Sequence, residues 1–369
     1  MNGSPVSAFG RDFYALTDED FQAHLLAGVS RTFALTIPQL PQPIHSIIAN
    51  GYLLCRIVDT IEDEATLDRS TKRHFCERFV AVVQGNQDAE AFARDFAACL
   101  SDRTPPSEQE LIRVSARVIA ITHRFAPADQ KALARCVKIM SHGMADFQDQ
   151  DLSAGLATLE DMNRYCYYVA GVVGEMLTEV FCNHVPSIAK HRDRMLKLAV
   201  SFGQGLQMTN ILKDIWDDLE RGVCWLPRDV FAACGYDLRE LRPGHTSPAF
   251  VAGLHELVAI AHGHLRNALE YTLLLPRGET GLRDFCLWAL GMAILTLRKI
   301  HRHPYFDRSS EVKIKRTSVK ATVLATRLCH RHDTWLKLLF HIASLGLPGP
   351  ASADKIQSGP PNVAESLTS

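Results

Sequence analysis

The stretch GYLLCRIVDTIEDE, residues 51–64, decides the fold. Its apolar run passes one arginine and ends in four acids, Asp59, Glu62, Asp63 and Glu64. In a helix, Asp59 and Asp63 share one face with Tyr52 and Arg56, because the steps from Tyr52 to Arg56, Asp59 and Asp63 are four, three and four residues. The other positions are mostly apolar, which predicts a largely buried helix whose carboxylates need a compensating cation. Oxygen ligands alone favour a hard ion such as Mg²⁺.

A second stretch, QMTNILKDIWDDLER at residues 207–221, repeats this pattern. Its polar residues are spaced by three, four, four and three: Gln207, Asn210, Asp214, Asp218 and Arg221. Lys213 lies beside them. Acids on a solvated helix face are the alternative interpretation of either cluster by itself. Two acid-bearing helices with their own cations instead favour a diphosphate that is bridged by metal ions and held between them.

Composition excludes several classes of protein. With 369 residues, 47% hydrophobic residues and a formal net charge of -1, the chain has no global signal for binding nucleic acid or an anionic membrane. Its ten cysteines are scattered without a ligand spacing, which indicates reduced thiols and no zinc site. The N-terminus lacks the pattern of a signal peptide, so we expect a cytoplasmic protein.

The sequence also lacks an uninterrupted apolar segment of the roughly 18 residues that span a membrane. The nearest candidate, 335–347, contains a lysine and a histidine and is interpreted as a packed or an interfacial helix. Because an oily substrate would draw the protein to a bilayer, we expect a peripheral contact with the inner face of a membrane, including for product release.

Few segments alternate with period two, which predicts an all-α fold. We expect a single large bundle of about a dozen helices around a central active-site cavity. Residues 1–17 are predicted to be a loose lead-in, 18–346 a single domain, and 347–369 a disordered tail. Residues 188–221 and 317–346 are each predicted to form one long helix, and Gly171 and Gly174 to permit close helix packing.

The motifs resemble those of the squalene/phytoene synthase family, head-to-head prenyl transferases of the isoprenoid-synthase fold. The resemblance covers roughly residues 30–320. Five stretches carry it: SRTF at 30–33, YLLCRIVDTIEDE at 52–64, YCYYVAGVVG at 165–174, QMTNILKDIWDDLERG at 207–222 and VKIKR at 312–316. The tyrosine-rich stretch and VKIKR are more similar to squalene synthases than to phytoene synthases.

The resemblance implies roles residue by residue. It implies metal ligands at Asp59, Glu62, Asp63, Asp214 and Asp218. It implies contacts with diphosphate and NADPH phosphates at Arg31, Arg56, Lys213, Lys313 and Lys315. It implies substrate contacts at Ser30, Arg31, Phe33, Tyr52, Gln207, Asn210 and Arg221. Tyr165 takes the position of the tyrosine that handles a proton, and the four aspartates act with it in catalysis.

The implied reaction joins two farnesyl diphosphates to presqualene diphosphate and reduces this intermediate to squalene with NADPH, with Mg²⁺ as the second cofactor. Two positions depart from the family pattern: Lys213 replaces an arginine, and Val223 stands where a further arginine is usual. The absence of a membrane-anchoring tail fits a soluble, bacterial-type enzyme. Length preference between C15 and C20 substrates, oligomeric state and downstream pathway stay open.

Several alternatives remain. Within the same chemistry, these are a phytoene or dehydrosqualene synthase, and a presqualene diphosphate synthase without the reductive step. A terpene cyclase also uses acid-bearing helices, but the tyrosine-rich stretch and the arginine near the N-terminus argue against it. A catalytically silent helical scaffold is the alternative from a different class, and magnesium-dependent release of diphosphate would exclude it.

Overall fold

A computed structural model describes residues 15–148, 151–351 and 356 of the chain. Within these residues the structure is helical, and the only β-type pairing is an isolated bridge between Leu156 and Pro227. The all-α prediction is therefore confirmed. The chain falls into two compact units, residues 1–149 with 179–184, and residues 150–178 with 185–369. The prediction of a single domain around a central cavity stays a prediction.

The helices follow one another along the chain with short connections. The first nine are α1 (Asp18–Val29), α2 (Phe33–Thr36), α3 (Ile44–Asp63), α4 (Arg69–Val83), α5 (Ala89–Ala97), α6 (Pro106–Arg113), α7 (Ser115–Thr122), α8 (Pro127–Gln148) and α9 (Leu159–Cys166). A π-helical segment, Tyr167–Gly171, follows α9. The remaining helices are α10 (Val172–His184), α11 (Pro186–Ala189), α12 (Arg192–Lys213), α13 (Ile215–Glu220), α14 (Arg228–Ala233), α15 (Pro248–Leu274), α16 (Thr280–Arg302), α17 (Ser309–Val312), α18 (Arg316–Cys329) and α19 (Asp333–Ser344).

Helix α3 is the centre of the first unit. It contacts α1, α4, α6, α7 and α8, and its apolar residues are buried on most sides, as the sequence predicts. Four phenylalanines of α4 and α5 pack nearby in one aromatic cluster, with ring centroids 4.9–6.3 Å apart. Burial of such large rings is a major stabilising contribution. The first acid motif therefore lies on a helix that is held from several directions.

In the second unit, α12 packs closely on the π-helical segment, α15 and α16. The approach depends on glycine. A Cβ atom on Gly174 would lie 2.4 Å from the carbonyl oxygen of Ala199, and one on Gly203 would lie 2.2 Å from that of Ala170. At Gly171 the nearest atom would be a ring carbon of Tyr167 at 2.9 Å. The predicted role in close helix packing is confirmed for Gly174, and Gly203 shares it, whereas the atom nearest to Gly171 belongs to its own segment.

Both long-helix predictions were wrong. The segment 188–221 is divided at His191 and again at Asp214, where the backbone leaves helical geometry (φ -102°, ψ 15°). The segment 317–346 is divided into α18 and α19 because the buried Arg283 guanidinium donates to the His330 carbonyl and to the Asp333 carboxylate. These contacts lie far apart in sequence, so helical periodicity does not reveal them.

One helix, α16, is long and apolar enough to cross a membrane, and 72% of its most apolar window is buried inside the fold, as in a core helix of a globular protein. By length and composition, α16 is a better candidate for a membrane span than residues 335–347.

Near the C-terminus, Pro348 and Ala351 bond to α15, through the His262 ring (3.0 Å) and the Ala259 carbonyl (3.2 Å) respectively. Most of the predicted lead-in and tail lies outside the described residues.

Candidate active site

The first acid motif is organised around one arginine. Arg56 Nη1 lies 3.7 Å from Asp59 Oδ2 and 3.7 Å from Glu108 Oε1, while its other nitrogen reaches the Tyr52 hydroxyl at 3.5 Å. Thr60 donates to the same Glu108 carboxylate at 3.2 Å. The structure thus brings Tyr52, Arg56 and Asp59 together as predicted. It adds Glu108, on the first turn of α6, as a second acid that shares the arginine.

Partial burial makes the Asp59 and Glu62 carboxyl groups hard to ionise. Desolvation raises the pKa of Asp59 to about 7, against the opposing effect of Arg56, and the charge of Asp63 raises it further. Desolvation likewise raises the pKa of Glu62 well above its usual range, followed by the charges of Asp63 and Asp59. Lys72 reduces this effect and donates to the Glu62 carbonyl. The motif therefore has more carboxyl groups than neighbouring cations, and Asp59 and Glu62 are protonated more readily than exposed acids.

Glu64 belongs to the same stretch but has a structural role. Its carboxylate accepts from the Ser101 amide (3.0 Å), from the Thr104 hydroxyl (2.5 Å) and from both the amide and hydroxyl of Thr66 (3.1 and 2.7 Å). Against the effect of burial, these hydrogen bonds lower the pKa of Glu64 to about 2. This acid anchors the end of α3 to the loop before α6.

The segment before α3 bears the predicted substrate contacts of the SRTF motif. The Ser30 hydroxyl accepts from the Phe33 amide at 3.0 Å and so shapes the turn into α2. The Phe33 ring packs on Tyr52 of α3, with centroids 4.9 Å apart. Arg31 is exposed in this turn. Ser30, Arg31 and Phe33 are therefore held next to the first acid motif through the Phe33–Tyr52 contact.

The second acid motif lies at the break between α12 and α13. Lys213 Nζ bonds to Asn210 Oδ1 at 3.0 Å and pairs with Asp214 Oδ2 at 3.0 Å. One turn later the Arg221 guanidinium pairs with the buried Asp218 carboxylate, whose pKa desolvation raises to about 6. Gln207 is half-buried one turn before Asn210. Each aspartate of this motif thus has its own cation.

Tyr165 is fixed by aromatic stacking. Its buried ring lies parallel to Trp225, with centroids 3.7 Å apart and an interplanar angle of 13°. The π-helical segment begins two residues later and contains Tyr167, whose hydroxyl donates to Glu175 at 3.2 Å. A π-turn rotates the residues that follow it relative to a uniform α-helix, and such turns often occur at functional sites. The position of the tyrosines therefore depends on a local feature that helical spacing does not predict.

The predicted phosphate-binding lysines flank a short connection. Lys313 ends α17 and Lys315 precedes α18, and both are exposed. The Lys313 carbonyl accepts from Lys299 Nζ at 2.7 Å. In the same unit, Trp216 of α13 donates to the Phe306 carbonyl at 2.6 Å, and α13 contacts α17. The lysine pair is thus attached to the helix that carries Asp218.

The carboxylates of the acid motifs suit a Mg²⁺ ion that also binds a phosphate ligand. Among residues 15–148, 151–351 and 356, no group of three or more His, Cys, Asp or Glu forms a ready metal site. Mg²⁺ in proteins commonly uses one or two carboxylates together with substrate phosphates and water. The desolvated acids around Asp59, with their raised pKa values, would be stabilised in their ionised form by such a cation. The donor set therefore fits an ion that is shared with a phosphate ligand.

Sequence reasoning missed three residues of this region. Glu108 Oε1 lies 3.7 Å from Arg56 Nη1, and the centroid of the Trp225 ring lies 3.7 Å from that of Tyr165. Both come from distant parts of the chain, so no spacing rule links them to the motifs. Glu64 was recognised only as one of four acids. The sequence carries a signal for it, since Thr66 lies two residues later and local hydroxyls often bond such carboxylates. The facing of the two acid motifs across a cavity stays a prediction.

Comparison with solved structures first defines the class of fold. The complex of TcSQS with the ligand BPH1237 matches with a TM-score of 0.72 and 23% identity, over 95% of this chain and 98% of that chain. A dehydrosqualene synthase in complex with a ligand matches with a TM-score of 0.59 and 19% identity, over 84% and 95%. The fold is that of the squalene synthase-type isoprenoid synthases.

The sequence comparisons then establish the family. The family model of squalene/phytoene synthases matches residues 26–318, and the chain belongs to this family. Squalene synthase ERG9 of Candida albicans is 30% identical over 316 residues, which cover 82% of this chain. The match covers 66% of that relative's length, slightly less than two thirds. The resemblance on which the site residues were chosen is thereby confirmed at the level of the family.

Proposed function

We propose that this protein is a magnesium- and NADPH-dependent squalene synthase. It would condense two farnesyl diphosphates head to head into presqualene diphosphate and then reduce this intermediate to squalene. The observation that carries the proposal is the pair of acid motifs, each with a cation within reach of an aspartate, in a chain whose relatives include squalene synthases. Acids and cations together suit a leaving diphosphate, since it needs both metal ions and direct positive contacts.

In this proposal the protein's own cations bind the substrate phosphates directly. Arg31 is exposed next to Phe33, and Lys213 and Arg221 already pair with Asp214 and Asp218. A substrate phosphate that bound Lys213 and Arg221 would release the Asp214 and Asp218 carboxylates, which could then hold Mg²⁺. When bound, Mg²⁺ supplies charge neutralisation on the leaving group. Arg56 differs because it is shared by two acids, so we propose that it holds Asp59 in place.

The apolar parts of the substrate need a water-free surface, because a carbocation reacts with water. Phe33 and Tyr52 offer such a surface next to the first motif, and Tyr165 and Trp225 next to the second unit's π-helical segment. We propose that the stack on Trp225 orients the Tyr165 hydroxyl, which would take part in transferring the proton lost in the first half-reaction.

NADPH would supply the hydride of the second half-reaction. The exposed Lys313 and Lys315 are the residues proposed to hold its phosphates, together with Arg31. Lysine binds phosphate as a point charge on a flexible stem, and two lysines at either end of a short connection suit a phosphate group that approaches from solvent. The lysine pair is the feature that would distinguish a reducing synthase from a non-reducing relative.

The test is incubation of the purified chain with farnesyl diphosphate and Mg²⁺, with and without NADPH, and identification of the lipid products. We expect squalene only when NADPH is present. Dehydrosqualene, or presqualene diphosphate as the end product in both reactions, would instead favour the non-reducing alternatives. Geranylgeranyl diphosphate in a parallel reaction tests the C20 alternative, and no release of diphosphate from either substrate would overturn an enzymatic role.

A further inference from the structure

Helices α18 and α19 expose an unusual amount of apolar surface. Six large apolar side chains on or just after these helices are 43–73% exposed: Leu324, Leu328, Trp335, Leu338, Ile342 and Leu345. Elsewhere in the described part of the chain, only Leu35 and Tyr305 belong to this class. Clustered exposure of this kind marks an interaction surface, whereas scattered exposure does not.

The spacing of these residues shows that each helix has a second apolar face. On α19, Trp335, Leu338, Ile342 and Leu345 are separated by three, four and three residues, which places them on one side. Leu336 points the other way and is 2% exposed. On α18, Leu324 and Leu328 are one turn apart. The inward faces hold the helices on the fold, and the outward faces have no described partner within the chain.

The charge of this segment is strongly biased. From Arg316 to Leu347 there are five basic residues, Arg316, Lys320, Arg327, Arg331 and Lys337. The single acid, Asp333, is bound by Arg277 and Arg283. The segment therefore has a formal charge of +4, whereas the whole chain has -1. A basic amphipathic pair with an exposed tryptophan has the composition of an interfacial membrane element.

From these features we propose that α18 and α19 form a docking surface for an anionic lipid bilayer. The apolar stripe would enter the boundary between headgroups and acyl chains, Trp335 would lie at headgroup level, and Lys337 and Arg331 would extend to the lipid phosphates. The proposal does not depend on which reaction the protein catalyses.

Two other occupants fit less well. A second copy bound through the same face would bring two segments of formal charge +4 together, which is unfavourable for a symmetric dimer. In the chain's own C-terminal segment, the described residues contact α15 instead: Pro348 and Ala351 bond to it, and the Ile356 side chain lies against Gly263. A bilayer surface satisfies both the apolar stripe and the positive charge.

The test is flotation of the full chain with phosphatidylcholine vesicles that contain, or lack, about 30 mol% phosphatidylglycerol. We expect at least about tenfold stronger binding to the anionic vesicles, weakened by added salt. The double variant Trp335→Ser/Leu338→Ser should bind the anionic vesicles at least about tenfold more weakly than the wild-type chain. Tyr305→Ser, which removes an aromatic ring of similar exposure outside the two helices, is the matched control and should bind normally.

The charge variant Arg331→Glu/Lys337→Glu should lose the preference for anionic vesicles. Binding of the wild-type chain to neither vesicle, or unchanged binding of the double variant, would overturn the proposal. Circular dichroism and thermal melting of each variant establish that it is folded, as expected for exposed positions. Light scattering adds a further check, because a dimer that the Trp335→Ser/Leu338→Ser variant abolishes would assign this face to a second copy instead.

The depth of Trp335 can be read directly. Quenching of tryptophan emission by brominated lipids should occur in the wild-type chain and disappear in Trp335→Phe, which keeps the apolar ring and should still bind. Persistent quenching in this variant would mean that one of the other tryptophans, Trp216, Trp225 or Trp288, meets the lipid, and the proposed surface would be wrong.

Discussion

The two acid motifs share a sequence pattern but differ in how their charges are balanced. In the first motif, Arg56 is shared by Asp59 and Glu108, and desolvation raises the pKa of Asp59 to about 7. In the second, Asp214 pairs with Lys213 and Asp218 with Arg221. The first lies on an uninterrupted helix, the second at a helix break.

This difference in charge balance indicates that the two motifs would have different roles in the proposed reaction. In the proposed function, the first motif would take up a metal ion, because a bound cation would offset the desolvation and the mutual repulsion that raise the pKa values of its carboxyl groups. A motif whose acids already have cations can exchange these partners for a phosphate with less change in local charge. We therefore expect the first motif to be the more sensitive to loss of a cation, and both to be sensitive to loss of an acid.

The largest effect is expected from Asp59→Asn and Asp214→Asn. Each substitution removes a carboxylate charge while it keeps the side-chain shape, and we expect diphosphate release to fall about a thousandfold, with the fold intact. Release of diphosphate from farnesyl diphosphate and Mg²⁺ is the measurement. Asp217→Asn, at an exposed neighbour of Asp218, is the matched control and should stay within about twofold of wild type. Near-normal turnover of either main variant would contradict the metal assignment.

Arg56→Gln and Lys213→Gln compare the two motifs directly. Loss of Arg56 leaves Asp59 and Glu108 without their shared cation, so we expect the free energy of unfolding to fall by about 2 kcal/mol at neutral pH. Loss of Lys213 affects one carboxylate and not two, and should cost less than about 1 kcal/mol. Urea denaturation measures both. Equal losses would show that the shared arginine has no special importance for stability.

Glu64→Gln tests the acid that anchors α3. Because the folded-state pKa of Glu64 is lowered to about 2, ionisation of this group stabilises the fold above its ordinary pKa of 4.5, and the contribution disappears as pH falls towards 2. We expect the variant to lose about 2 kcal/mol at neutral pH, with the difference from wild type shrinking between these two pH values.

The measurement is urea denaturation across this pH range. Asp102→Asn, at an exposed acid of the loop that Glu64 binds, is the control and should follow the wild-type pH dependence. A difference between Glu64→Gln and wild type that stays constant with pH would argue against the hydrogen bonds as its cause.

The smallest effect is expected from Lys313→Ala/Lys315→Ala. If these lysines hold NADPH phosphates, presqualene diphosphate should form at the normal rate while its reduction to squalene slows about tenfold. Timed product analysis with limiting NADPH separates the two half-reactions. Lys320→Ala removes a nearby exposed charge as a control. Equal loss in both half-reactions would remove the cofactor role of this pair.

Local patterns predicted a large part of this molecule. The spacing of Tyr52, Arg56 and Asp59 predicted one face of a helix, and the structure brings them together as expected. The glycines at 171 and 174 predicted a close helix approach, which a Cβ atom at Gly174 would prevent. Both predictions hold because helical periodicity and the absence of a side chain act within a few residues, where tertiary context changes little.

Other features depended on contacts between distant residues. Glu108 contacts Arg56 of the first motif and Trp225 stacks on Tyr165, each from a separate helix or loop, and Arg283 divides one predicted helix into α18 and α19. The π-helical segment shifts the tyrosines in a way that composition does not show.

The sequence by itself determined the all-α class, the family and the acids of both motifs, since apolar periodicity and motif spacing are local properties of the chain. Only the tertiary structure decided which carboxylates lose their hydration, which share a cation and which, like Glu64, serve the fold instead. Charge balance depends on burial and on partners from elsewhere in the chain, and these exist only once the helices have packed.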